Sequence, residues 1–284
     1  MWEMETRSLL HPPQPIIVID LFPEILTELV RLLSSLSAEE WQKPTVCAGW
    51  SVKDVALHLL GGEIGNLSRR RDGHAQSASI NSWEDLVTFV NDWNQGWVRA
   101  TQRISPRLLI DLCESTGAQL CDYFRSLDPF ALGGSVSWAG PERAPVWLDL
   151  AREYTERWHH QQHIRDAAAK PGLTEPRYMA PVLSAFVWAL PHTFRSRRAA
   201  EDTAVTLTIT GASGGQWSLL REKEEWKLYR GAPDHPDAEI ILDQDIAWRL
   251  FTRGLAPNVV RERMSLSGDQ ALGLQVLEMV SIIA

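Results

Sequence analysis

The sequence predicts an α + α/β protein in two parts, a helical bundle over residues 1–197 and a small α+β domain over 198–284. Three observations predict it. Apolar residues recur at helical spacing through the first two thirds of the chain, and several of these runs are entered through Ser or Pro. After about residue 200 the runs become short, β-branched or alternating, and are bounded by Gly, Ser and charge pairs. Between the two, RSRRAAED (195–202) interrupts the apolar pattern. A chain of 284 residues is long enough for one large or two ordinary domains.

The elements follow in order. DLFPEILTELVRLLSSL (20–36) reads as a helix entered through Asp20, with Pro23 in its first turn. A loop, WQKPTVCAGW (41–50), precedes Ser51, a predicted N-cap with Asp54 three residues on. The helix it opens, SVKDVALHLLGGEIGNL, carries a weakening Gly61-Gly62 pair. Ser82 opens the next helix, running to about 103, and Ser105-Pro106 opens another, running to about Leu127. The turn-rich LGGSVSWAGPERAP separates it from a helix at about 146–169, and a shorter helix at 177–195 closes the bundle. VTLTITG, GGQWSLLRE, EEWKLYRG and AEIILD then read as strands. QDIAWRLFTRG and the segment from Asp269 onward read as helices, with SLSGD between them.

Composition excludes several classes of function. A net charge of −8 argues against nucleic acid as a partner, and RRR at 69–71 is too short to reverse that. No stretch approaches the roughly 18 apolar residues of a membrane span, and MWEMETRSLLHPPQP lacks a secretory pattern. The three cysteines, Cys47, Cys113 and Cys121, have no CxxC spacing, which points to a reducing, cytoplasmic setting. Thirteen tryptophans suit buried contacts and pocket walls; Trp50, Trp93, Trp97, Trp138 and Trp158 are expected mostly in packing.

EYTERWHHQQHIRD (153–166) places three of the chain's eight histidines within five positions. On a helix, residues i and i+4 share a face with Cβ atoms roughly 6 Å apart. That pairs Glu156 with His160 and, equally, His159 with His163. At about 100° per residue, Trp147, Leu150, Ala151, Tyr154 and Trp158 gather on one side. Glu156, His160 and His163 gather opposite, with Asp149 near them. Two ligands from one turn need a third from elsewhere, and His58, in the apolar run VALHLL, is the candidate. A His₂Glu set suits zinc or nickel and leaves a coordination position open. Spacing alone does not choose between the two i,i+4 pairs. A metal inside a bundle would normally face other helices, so the tryptophan side is expected to be covered by the second domain, with the ligands facing a cleft. Cys47, eleven residues before His58, reads as a small buried loop residue.

WQKPTVCAGWSVKDVALHLLGGE (41–63) and ERWHHQQHIRDA (156–167) together resemble the two characteristic segments of the DinB-like, mycothiol-dependent maleylpyruvate isomerase family. The resemblance implies a DinB-like four-helix bundle over about 15–195, with His58, Glu156 and His160 as its metal ligands. His163 stands where an aspartate is usual. The C-terminal part is similar to the sterol-carrier-like domain that follows the bundle in many members.

Members of that family that are understood use a divalent metal with a low-molecular-weight thiol, which implies isomerisation of a small electrophile or transfer of the thiol to it. The implied partners are the thiol and a small-molecule substrate, with no nucleic acid and no membrane, and with a homodimer as a candidate assembly. His163 would act as acid/base or support the ligands. Arg253 resembles the arginine that the family's second domain contributes, and it would hold an anionic substrate, whereas Arg165 lies on the tryptophan side. The alternative is a non-catalytic metal-binding or small-molecule-binding protein, which a fourth protein ligand from His163 or Asp149 would favour.

Overall fold

The computed structural model describes residues 10–74 and 80–282. A helical N-terminal region is followed by a sheet-containing C-terminal region, as the sequence predicts. The described helices are α1 (Phe22–Ser34), α2 (Val52–Asn66), α3 (Trp83–Ala100), α4 (Pro106–Arg125), α5 (Val146–Ala168), α6 (Pro176–Phe186), α7 (Leu190–Phe194), α8 (Gln244–Phe251), α9 (Pro257–Arg261) and α10 (Gln270–Gly273). The strands are β1 (Leu132–Ser135), β2 (Arg143–Pro145), β3 (Ala204–Thr210), β4 (Gly215–Glu222), β5 (Glu225–Arg230), β6 (Ala238–Asp243) and β7 (Ser265–Gly268). None of the described helices is long and apolar enough to cross a membrane.

The chain divides into two compact units that cut it differently from a single boundary near 197. One consists of residues 17–131 and 150–173. The other takes 132–149 and 174–282 together with the segment before residue 17. The hairpin β1–β2, α6 and α7 thus belong with the sheet.

In the helical unit, the predicted caps form. The Ser51 side chain accepts from the Asp54 amide while the Asp54 carboxylate accepts from the Ser51 amide, a complete capping box. The Ser82 and Ser105 side chains cap α3 and α4 by accepting from the Asp85 and Leu108 amides, without the reciprocal half of the box. Asp20 does not cap α1: it lies in a preceding 3₁₀ turn, and the N-cap position falls to Leu21. The Gly61-Gly62 pair does not break α2. Its purpose is close approach, since a Cβ at Gly61 would lie 2.6 Å from the Trp97 indole, which donates its N–H to the Leu57 carbonyl at 2.7 Å. Leu29 and Leu33, Val55 and Leu60, Val98, Leu109 and Cys113, and Ile164 bring α1 to α5 into one apolar core.

Two buried carboxylates sit beside that core. Thr116 donates to Glu63 Oε2 at 2.5 Å. Burial pushes the Glu63 carboxyl up to about 7, against the lowering by the Arg157 charge and the Thr116 hydroxyl. The folded chain therefore holds this proton more tightly than the unfolded chain does. Stability is expected to fall as pH rises from about 4.5 through about 7, by at most about 3 kcal/mol. Glu63→Gln should flatten that decline, which urea denaturation at about pH 5 and about pH 8 measures; an unaltered slope would disprove it. The second carboxylate, Glu153, accepts from Arg157 Nη1 at 2.7 Å and Asn66 Nδ2 at 3.1 Å and pairs with the Arg152 guanidinium.

In the sheet unit the order is β5-β4-β3-β6-β7, with β3–β6 parallel and the other pairs antiparallel. Ahead of α1, His11 exchanges two backbone hydrogen bonds with Arg230 on edge strand β5, at 3.0 and 2.8 Å. Several expectations change here. SLSG, expected as a linker, is β7 on the opposite edge. LGGSVSWAGPERAP contains the hairpin β1–β2. The helix expected at 177–195 is broken into α6, a 3₁₀ turn at Val187–Ala189 and α7, with Pro191 in the first turn of α7. The helix expected from Asp269 onward shrinks to α10 and a 3₁₀ stretch ending at Glu278, and residues 283–284 lie outside the described residues.

Candidate metal centre

The centre lies wholly within the helical unit. α2 delivers His58 from an otherwise buried run, Val55 to Leu60, whose register the capping box fixes. α5 delivers Glu156 and His160 one turn apart. Glu153, Thr155, Arg157, His159, Gln161, Gln162, His163 and Arg165 are all buried along with Tyr154, Trp158 and Ile164. Helical phase therefore does not separate an inner face from an outer one, because every residue from Glu153 to Arg165 except Glu156 is buried. Trp147 and Trp158 are buried, Trp147 in edge contact with Trp188 and Trp158 donating to the Leu173 carbonyl. Trp93 departs from its packing expectation, being 54% exposed.

Three donor atoms converge. His58 Nε2 lies 2.8 Å and His160 Nε2 3.2 Å from Glu156 Oε1, and the two imidazole rings meet edge-on at 4.6 Å. Two donors bound to one ion at about 2.0–2.2 Å, at angles between octahedral and tetrahedral, stand roughly 2.8–3.6 Å apart. The observed spacings sit at that range, so these residues fit a divalent cation. Side-chain exposure is 12% for His58, 10% for His160 and 35% for Glu156, so a small molecule can approach from the carboxylate side. Desolvation works to raise the Glu156 carboxyl, but the His160 charge and hydrogen bonds from His160 and His58 hold it well below the carboxylate range. Burial lowers His160, although Glu156 opposes it. Glu156 is thereby held as the ionised carboxylate that a metal ligand must be.

The rival i,i+4 pair divides. Burial, then the His160 charge, lower His159 to about 3, and its Nδ1 is 2.8 Å from the Thr155 carbonyl of its own helix. His163 instead points its Nδ1 at Cys47 Sγ, 3.3 Å away. Cys47 is therefore more than the small loop residue expected. It begins a tight turn in which the Trp50 amide donates to the Cys47 carbonyl at 2.9 Å and Gly49 adopts φ +78°. Sequence spacing carried no sign of this contact, which depends on the turn's hand. Arg165 is committed elsewhere: it donates to the Pro171 carbonyl at 2.9 Å and lies 3.4 Å from Glu28. Trp158, Gln162 and Arg165 thus clasp residues 171–173 over one face of α5. Arg253, exposed and with φ +59°, lies just after α8 in the sheet unit.

The sequence model of the family described as "Mycothiol maleylpyruvate isomerase N-terminal domain" matches residues 22–165, a span that includes all three converging donors. The chain belongs to this mycothiol maleylpyruvate isomerase family. Two crystal structures of the mycothiol-dependent maleylpyruvate isomerase share its fold. One, of a histidine-to-alanine mutant, is 14% identical, with TM-score 0.52 over 88% of this chain and 91% of that one. The other is 15% identical, with TM-score 0.51 over 83% and 88%. No curated protein sequence matches the chain.

Proposed function

We propose that the protein is a divalent-metal-dependent enzyme of the maleylpyruvate isomerase type, activating a low-molecular-weight thiol to isomerise, or add to, a small electrophile. The observation that carries this reading is the convergence of two imidazole nitrogens on one Glu156 oxygen, beside a flank open to small molecules. The donor set suits zinc first and nickel second. When bound, such a cation supplies the acidity that keeps a thiol, otherwise ionising at about 8.5, in its thiolate form near neutral pH.

The residues of the chain do the rest. Glu156 contributes the anionic donor, and the capped α2 and enclosed α5 hold His58 and His160 in fixed orientation around it. His163 is proposed as the proton carrier, its ring 5.3 Å from that of His160. Arg253 is proposed as the contact for a carboxylate substrate, on the family expectation. His163 does not join the three-donor group among the described residues, which supports turnover over a closed, non-catalytic site. The same reading takes mycothiol as the thiol, the cytoplasm as the setting, and the region around the five-stranded sheet as sterol-carrier-like.

Elemental analysis of the wild type and His58→Ala tests it, followed by an assay of thiol-dependent cis–trans isomerisation of maleylpyruvate. The expected outcome is loss of one equivalent of zinc in the variant, and turnover that requires both metal and thiol. Metal content unaltered by His58→Ala would remove the ligand assignment, and metal without turnover would leave a binding protein.

A further inference from the structure

Beyond the three-donor group, a second set of soft donors stands beside it. Cys47 Sγ, a nitrogen of His163 and a nitrogen of His160 lie within 4.8 Å of one another. His160 Nε2 is taken up by Glu156. Its Nδ1 is buried and has no hydrogen-bond partner among the described residues. A buried ring nitrogen with no partner is costly unless something completes it. Cys47 Sγ and His163 Nδ1 are 3.3 Å apart. A sulfur at about 2.3 Å and a nitrogen at about 2.0 Å from one ion stand roughly 3.2–3.6 Å apart at near-tetrahedral angles.

We infer that Cys47, His163 and the Nδ1 of His160 form a second, thiolate-containing site for a thiophilic divalent cation such as Zn²⁺, joined to the first site through the His160 ring. Binding there releases the Cys47 thiol proton to solvent. When both sites are filled the ring serves as an imidazolate, and its last proton is released as well. The S/N/N donor set favours zinc or cobalt over magnesium or calcium. The same His160 ring then makes occupancy of one site sensitive to the other, and a filled second site withdraws His163 from the proton-carrying role proposed above.

Cobalt titration of the purified full chain tests this, read by optical absorption and by equilibrium dialysis. The wild type should bind two equivalents of Co²⁺ and show a thiolate-to-cobalt charge-transfer band. Cys47→Ser should bind one equivalent and lose the band. In the unmutated protein, Zn²⁺ should also change the rate of Cys47 alkylation at least about tenfold, read by peptide mass spectrometry, because a thiolate held by a metal reacts differently from a free thiol; this arm needs no variant to fold. One equivalent with a thiolate band that Cys47→Ser abolishes and His58→Ala spares would uphold this site while the three-donor site fails. The inference is overturned by a wild type without the band, by a band that survives Cys47→Ser, by Cys47 alkylation indifferent to zinc, or by a single equivalent that both Cys47→Ser and His58→Ala abolish.

Discussion

His160→Ala is expected to weaken divalent-metal binding by more than about a hundredfold and to cut thiol-dependent turnover by about a thousandfold. Changing a group that merely supports a metal ligand already costs roughly 10–100-fold in affinity, and a ligand itself should cost more. The loss in turnover corresponds to about 4 kcal/mol, within the several kcal/mol a cation contributes to a transition state. His160 is the right position for the largest effect. Its Nε2 is in the three-donor group, its ring touches those of His58, His159 and His163, and its neighbour cannot replace it. His159→Gln is the matched control, because that residue bonds to the Thr155 carbonyl and not to Glu156. Elemental analysis and steady-state kinetics on both variants decide the matter. Full metal content in folded His160→Ala would refute the assignment.

Glu153→Ala should lower stability by about 3–5 kcal/mol, a large share of the 5–15 kcal/mol typical of a native domain. Its carboxylate is buried with the Arg157 guanidinium, which also donates to the Glu153 carbonyl and lies over the Phe22 and Phe124 rings. Removing the carboxylate leaves that guanidinium charged and desolvated. Burial works to raise Glu153, but Arg152, Arg157 and Arg70 hold it at about 2. Its contribution is therefore present above the ordinary value of 4.5 and is lost as pH falls toward about 2. This is the opposite sense to Glu63. Chemical denaturation near neutral pH measures the effect, and a loss below about 1 kcal/mol would contradict it. The double replacement Glu153→Met with Arg157→Met should cost less than Glu153→Ala alone, because no charge is then stranded.

Much of this architecture was legible because local chemistry and global packing agree. Ser51, Ser82 and Ser105 announce their helices by side-chain hydrogen bonds that need only the next turn to form. The strands β3 to β6 announce themselves by β-branched and alternating runs. What escaped was set by distant partners. β7 is a strand only because β6 offers it an edge, and four residues reading SLSG carry little preference of their own. Gly61 looked like a weakness in α2 until the Trp97 indole filled the space its missing side chain leaves. At the centre, the i,i+4 rule put Glu156 with His160 and His159 with His163 on equal terms. Only the direction of each ring, towards Glu156, the Thr155 carbonyl or Cys47, separates them. That direction follows from α5 being buried on nearly every side, with only the Glu156 flank open, a condition that periodicity in a single sequence does not express.

The bridge between His11 and Arg230 has a bearing on how copies of this chain can meet. β5 would otherwise offer its outward-facing amides to a neighbour's strand; the bridge fills its Arg230 end, and Glu225, Lys227 and Arg230 set charged residues along its length. The far margin, β7, is only four residues long. Strand-to-strand polymerisation thus finds little purchase at either margin, and self-association is steered towards surfaces made of side chains.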